Sequence, residues 1–381
     1  MKKTKQKNQK WIRFRHRLVT RIIALVLRPY CRFKYGLKVE KFKEQGKKQY
    51  VILYNHQTAF DQFFVGLAFS GAIYYVASED IFSNGFISRL IKWLVNPIPI
   101  KKQTTDVRAV LNCIKVAKEG GTIAIAPEGN RTYSGKTEYM KPQVVSLVRA
   151  TKLPLALFRI EGGYGVHPRW SDAVRHGKMR AYVSRVIEKE EYDTYTDDEF
   201  FNIIRKELYV NEANTDNTCK SKVKAEYLER AIYVCPKCNL SEFESHGDII
   251  RCKKCGLEVR YTDTTELSGV NTDFPFKFVN DWYEYQCDYI RNCDLDVFGG
   301  EAIYKDNGSI YEIEVYKKKN LLYENAEIFL FKDRIHIKNS ETILDLDFEK
   351  TSVVTVLGKN KLNIYYRDKL YQVKSNKRFN A

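Results

Sequence analysis

At 381 residues, 44% hydrophobic and 13% aromatic, the chain can supply cores for two or three domains. A formal net charge of +17 and a pI near 9.3 select anionic partners: nucleic acid, an anionic membrane surface or phosphorylated substrates. Nine cysteines, an odd count with no cleavable signal peptide ahead of them, argue against a secreted disulfide scaffold and for a reducing compartment.

Residues 1–35 are read as a basic amphipathic segment at a membrane interface. Residues 1–39 hold no Asp or Glu, and Lys2, Lys3, Lys5, Lys7 and Lys10 open the chain. Trp11, Ile12 and Phe14 then alternate with Arg13, Arg15 and Arg17. The apolar run Ile22 to Leu27 is far short of the about 20 residues a spanning helix needs. Basic residues interleaved with aromatics instead suit a helix lying in the headgroup region on the cytoplasmic face of the cell membrane.

Residues 36–225 are read as one domain, of which residues 36–210 alternate apolar runs with helical periodicity. Strands are expected at 50–54, 72–77, 97–100, 122–126, 154–160 and 179–187. Helices are expected at 59–69, 86–95, 104–119, 141–151 and 197–210. The alternation predicts an α/β domain whose mostly parallel sheet is flanked by helices. Sites in such folds lie at the carboxyl ends of strands.

Two such strand ends carry chemistry. The first is Asn55-His56-Gln57-Thr58-Ala59-Phe60-Asp61. Neutral imidazole takes a proton near pH 7, and a carboxylate beside it fixes the tautomer and stabilises the cation. On an ideal helix His56 and Asp61 would lie about 140° apart, so a turn between strand and helix is needed to bring them together. The second is Pro127-Glu128-Gly129-Asn130-Arg131-Thr132. Arg131 offers a planar fork of donors for phosphate or carboxylate, and Gly129 permits close backbone approach.

In this order, each after an apolar strand, the two motifs resemble those of the glycerolipid (lysophosphatidic acid) acyltransferase family. That family carries Asn-His-x4-Asp first and Pro-Glu-Gly-Thr-Arg third; here Asn130 stands in the threonine position. The second motif usually ends in arginine. Here Ile98-Pro99-Ile100-Lys101-Lys102 places a lysine there, which keeps the charge and loses the bidentate fork. Leu153-Pro154-Leu155-Ala156-Leu157 fits the apolar fourth motif loosely. The resemblance spans roughly residues 35 to 210. It implies His56 as general base oriented by Asp61, with Asn55, Lys102, Glu128, Gly129, Asn130 and Arg131 around the substrate. It implies an acyl-CoA or acyl-carrier-protein donor and a lysophospholipid or glycerol-phosphate acceptor. His167 and His176, beyond the motifs, are read as surface or structural residues.

Residues 211 to 225 are polar and read as a linker. Residues 226–270 contain Cys235-Pro236-Lys237-Cys238 and Cys252-Lys253-Lys254-Cys255-Gly256. Two Cys-x2-Cys pairs at this separation predict a zinc ribbon, with Cys235, Cys238, Cys252 and Cys255 on a tetrahedral zinc. A redox dithiol and an iron centre are the alternatives. A four-sulfur site leaves no open position for chemistry. Residues 271–298, with Phe274, Phe276, Phe278, Trp282, Tyr283 and Tyr285, read as a linking helix that docks the ribbon.

Residues 299–381 alternate as β: Ile310 to Tyr316, Ile328 to Leu330, Ile335 to Ile337 and Leu362 to Tyr366. Turns are expected at Asp306-Asn307-Gly308 and Gly358-Lys359-Asn360. A small antiparallel domain, pleckstrin-homology-like in pattern, is expected.

Two functional classes follow. One is a membrane-associated O-acyltransferase, its acceptor a lysophospholipid, a glycerol phosphate, or another lipid or amine. The other is a non-enzymatic zinc-ribbon protein that binds nucleic acid or membrane. Charge concentrated beside apolar residues at the N-terminus, and a ribbon near charge balance, favour the first and argue against nucleic acid.

Overall fold

The computed structural model describes residues 10–100, 106–213, 217–314, 319–340, 343–358 and 360–375. Lys2, Lys3, Lys5, Lys7, Lys101 and Lys102 lie outside them.

The chain opens with α1 (Phe14–Tyr35), which contains Pro29 and ends on Gly36. Gly36 sits at φ 59°, and a Cβ there would lie 2.0 Å from the Gly177 carbonyl oxygen, so glycine is required. The α/β unit follows as β1 (Leu37–Val39), β2 (Val51–Tyr54), α2 (Asp61–Ala68), β3 (Ile73–Ser78), α3 (Phe86–Val95), β4 (Ile98–Ile100), α4 (Val107–Lys118), β5 (Thr122–Ile125), α5 (Gln143–Thr151), β6 (Leu155–Glu161), α6 (Gly163–Val166), β7 (Met179–Ile187), α7 (Lys189–Tyr192) and α8 (Asp197–Leu208). Asp106 caps α4: its carboxylate accepts from the Ala109 N–H.

The strands form one sheet in the order β1-β7-β6-β2-β5-β3-β4. All neighbours run parallel except β6 and β7. Central β2 is buried throughout, which is why it reads as an unbroken apolar run. Its side chains alternate across the sheet. Ile52 and Tyr54 join one core with Phe64, Phe158 and Ile160; Val51 and Leu53 join the other with Val148, Phe200 and Ile204.

The segment expected to be a linker is not one. Ala213, Cys219 and Ala225 are fully buried, and Lys136 bridges to Asn211. Ala213 and Ala225 enter a core that polar composition alone does not reveal: Tyr164 and Trp170 of the α/β unit packed with Phe243, Ile250, Tyr261 and Trp282.

The cysteine-bearing part comprises β8 (Val234–Cys235) and β9 (Asn239–Leu240), paired antiparallel, and a sheet of β10 (Phe243–His246), β11 (Ile249–Cys252), β12 (Glu258–Tyr261) and β13 (Leu267–Gly269). Then α9 (Val279–Asn292) docks it, the Trp282 indole N–H donating to the Val234 carbonyl at 2.7 Å. Phe274 and Phe276 precede this helix and pack on Trp282 from outside it.

The C-terminal part is a seven-stranded antiparallel sheet: β14 (Tyr304–Ile313), β15 (Asn320–Leu330), β16 (Arg334–Lys338), β17 (Ile343–Asp347), β18 (Thr351–Leu357), β19 (Lys361–Tyr366) and β20 (Lys369–Ser375), ordered β17-β16-β15-β14-β20-β19-β18. Gly358 turns between β18 and β19 at φ 65°, as expected. The turn expected at Asp306-Asn307-Gly308 is instead strand interior. Gly308 marks a shift in the pairing register, and a Cβ there would meet the Lys374 carbonyl oxygen at 2.7 Å.

Candidate active site

The two motifs meet because their strands are neighbours. β2 and β5 pair in parallel, Leu53 opposite Ile125, so the loops that leave their carboxyl ends lie side by side. The Thr132 N–H donates to the His56 carbonyl at 3.3 Å and ties the loops together.

Residues 55–60 form the turn that the i, i+5 spacing demands, and Asp61 begins α2. The Asp61 carboxylate is fully buried and lies 2.8 Å from His56 Nδ1. It also accepts from the Gln57 N–H (2.6 Å), the Thr58 N–H (2.9 Å) and the Thr58 hydroxyl (2.7 Å). These donors and the helix N-terminus satisfy the carboxylate, whose field also reaches Arg131. When His56 Nδ1–H donates to this carboxylate, Nε2 carries the lone pair of the neutral ring. The His56 side chain is 21% exposed.

Glu128 braces this loop. One oxygen accepts from the His56 N–H (2.7 Å), the other from the Glu138 N–H (2.7 Å). Burial outweighs both donors and pushes its carboxyl up to about 8. Asn55 is fully buried, and its amide clamps both polar groups of Ile160 at 2.8 Å. Asn55 and Glu128 therefore shape the turn.

His56, Glu128, Gly129, Asn130 and Arg131 line a cavity of about 790 Å³. Most of its wall is apolar, from Ile23 and Leu27 of α1 to Leu94 of α3. Gly129 turns at φ 70°. Burial, and next the charge of Arg169, lower the Arg131 guanidinium to about 10. Residues far along the chain complete the wall: Arg169, and Val356 to Gly358 of the C-terminal sheet. Asn130 Nδ2 donates to the Thr355 hydroxyl at 3.2 Å, a contact across 225 positions that no local pattern signals.

Residues 36–160 match the family model described as Acyltransferase. The match marks an acyltransferase domain in this part of the chain. The domain is similar to the 1-acyl-sn-glycerol-3-phosphate acyltransferase of Bacillus subtilis (strain 168), with 22% identity over 120 residues. That match covers 32% of this chain and 57% of the relative, so the chain spans just over half the length of that protein. A likeness extends to the crystal structure of the 1-acyl-sn-glycerophosphate (LPA) acyltransferase PlsC from Thermotoga maritima. It has a TM-score of 0.41 and 18% identity, covering 51% of this chain and 76% of the other.

Apart from the acyltransferase domain, the Sγ atoms of Cys235, Cys238, Cys252 and Cys255 lie within 4.8 Å of one another. Two pairs approach at 3.6 Å, near the about 3.8 Å separation of sulfurs around tetrahedral zinc. The Lys237 N–H donates to Cys235 Sγ at 3.4 Å, and the Ser241 hydroxyl lies 3.1 Å from Cys252 Sγ. The donor set fits a structural metal.

Proposed function

We propose that this protein is a membrane-associated acyltransferase that moves a fatty acyl group from a thioester donor to the hydroxyl of a lysophospholipid or glycerol phosphate. The observation that carries this reading is the His56–Asp61 dyad, set beside Arg131 at the wall of an apolar cavity. His56 Nε2 takes the proton of the acceptor hydroxyl. The oxygen attacks the thioester carbonyl directly; the C–S bond breaks and the thiolate leaves with a proton returned by His56. Asp61 orients the ring and stabilises the imidazolium in between. Arg131 holds the acceptor phosphate, and the apolar wall takes the acyl chain. Lys102 adds positive charge to the same acceptor.

The membrane reading rests on two helices. Phe14, Leu18, Ile22, Leu25 and Phe33 form an exposed apolar stripe on α1, flanked by Arg15, Arg21 and Arg32. Phe86, Ile87, Leu90 and Trp93 do the same on α3, which packs against α1; the Arg15 guanidinium lies 5.0 Å over the Trp93 ring. Contiguous apolar surface of this kind suits a lipid interface. Among the described residues no helix is long and apolar enough to cross a membrane. Peripheral docking on an anionic leaflet serves a substrate that dissolves there.

Zinc on the four cysteines holds the ribbon and takes no part in transfer. Three of the ribbon's basic residues are matched by its own acids: Arg251 with Glu258, Lys253 with Glu242, Arg260 with Asp248. That pairing disfavours a nucleic-acid surface.

The test is acyl transfer on anionic vesicles from a radiolabelled acyl thioester, with lysophosphatidic acid, glycerol 3-phosphate and monoacylglycerol as acceptors. Labelled product with the phosphorylated acceptors supports the reading. No product with any acceptor contradicts it.

A further inference from the structure

Arg169 follows α6, outside the segment that matches the acyltransferase family. It is 5% exposed, yet it lines the same cavity as His56 and Arg131. Three neutral groups hold its guanidinium. Nη1 donates to the Arg131 carbonyl (2.7 Å), Nη2 donates to the Val356 carbonyl (2.8 Å), and the Tyr133 ring lies 4.1 Å beneath. Nε is buried without a hydrogen-bond partner. Among the described residues, neither Arg131 nor Arg169 has a carboxylate within ion-pair distance. The acid whose field reaches Arg169 is Glu138, which accepts from the Tyr133 N–H at 3.3 Å, and the one whose field reaches Arg131 is Asp61.

A buried cation without a counter-charge costs several kcal/mol. Here two sit side by side: burial disfavours the charge of both, and the charge of Arg169 disfavours that of Arg131 further. Carbonyls and a ring fix the position of Arg169 but do not neutralise it. With Asp61 and Glu138 both beyond ion-pair distance, an anion delivered to the cavity is the partner that would contact both guanidinium groups.

We propose that Arg169 and Arg131 together form a pocket for a phosphate monoester dianion, that of the acyl acceptor, with Arg169 held in place by β18 of the C-terminal sheet. This rests on the acyltransferase reading and deepens it. It makes Arg169 a second determinant of acceptor specificity and gives the C-terminal sheet a role: its edge carbonyl at Val356 sets the angle of the fork.

Phosphate could also arrive on the donor, so the test separates the two. Initial rates are measured for wild type, Arg169→Met and Arg169→Lys with lysophosphatidic acid, with monoacylglycerol, and against donor concentration. Loss of charge-assisted hydrogen bonds predicts a KM for lysophosphatidic acid raised roughly ten- to a hundredfold in Arg169→Met. The KM for the thioester and the rate with monoacylglycerol stay unchanged. Arg169→Lys, which keeps the charge and loses the fork, falls between. If Arg169→Met does not fold, Arg169→Lys carries the same comparison. A KM change confined to the donor, or unaltered discrimination between the two acceptors in a folded variant, overturns the proposal. Equilibrium dialysis of radiolabelled glycerol 3-phosphate needs no turnover and separates this from failure of the wider reading. If wild type transfers nothing, binding that is lost in the Arg169 variants still supports the pocket, and equal binding overturns it.

Discussion

At the residue scale the site is a set of buried polar groups that hold one another. Asp61 is held by backbone donors, a hydroxyl and a helix N-terminus, and its field reaches Arg131. Asp61→Asn cannot hold Nδ1–H in the same tautomer. It should lower kcat by roughly 10²- to 10⁴-fold with little change in KM, as loss of a positioned acid–base group does; unchanged kcat in a folded variant would remove Asp61 from the mechanism. Glu128 makes a different prediction. Burial raises its folded-state affinity for the proton, so the unfolded chain binds that proton less tightly. Its contribution to stability is therefore full below the usual carboxylate value of 4.5 and is lost as pH rises through about 8. Glu128→Gln cannot titrate. Urea unfolding of both proteins across this range should show a steeper fall with pH in wild type, and equal slopes would refute the assignment. His56, Asp61 and Arg131 were legible in the chain because short motifs with fixed spacing carry them. Arg169 was not, since its place at the cavity wall depends on a carbonyl 187 positions away.

At the scale of elements, periodicity did well where packing follows it. Strand β7 and helix α3 occupy the expected residues, and β2 reads as a buried central strand. It failed where one residue has two uses. Gly308 looks like a turn and is a close-approach glycine within β14; Asn211 to Ala225 looks solvated and partly enters a core. The α1–α3 face gives the prediction at this scale. Phe14 and Leu25 are 83% and 77% exposed and Phe86 is 71% exposed, so Phe14→Ser, Leu25→Ser and Phe86→Ser together cost the fold little. Sedimentation with anionic vesicles should fall sharply while the melting temperature stays near wild type. Undiminished sedimentation would place the membrane contact elsewhere.

At the scale of the molecule, the cysteine-bearing part is packed onto the α/β unit through shared core residues. Trp170, next to Arg169, meets Tyr261 of β12 edge-on at 5.7 Å, and the Arg175 guanidinium lies between 4.8 and 4.9 Å from both rings. A structural zinc site contributes on the order of 10 kcal/mol to its fold, so its loss should propagate to Trp170 and the cavity wall. Metal analysis should find about one zinc per chain, and chelation should lower both the melting temperature and acyl transfer. A metal-free protein of full stability would contradict this. The C-terminal sheet reaches the site through Thr355 and Val356, a placement that alternation in the sequence announces as β but cannot locate.

The central claim is that His56 is the base. It is tested most directly by acyl transfer from a labelled thioester to lysophosphatidic acid, wild type beside His56→Ala. The account predicts an active wild type and a folded His56→Ala variant slower by roughly 10²- to 10⁴-fold. A folded His56→Ala variant that matches wild type would contradict it.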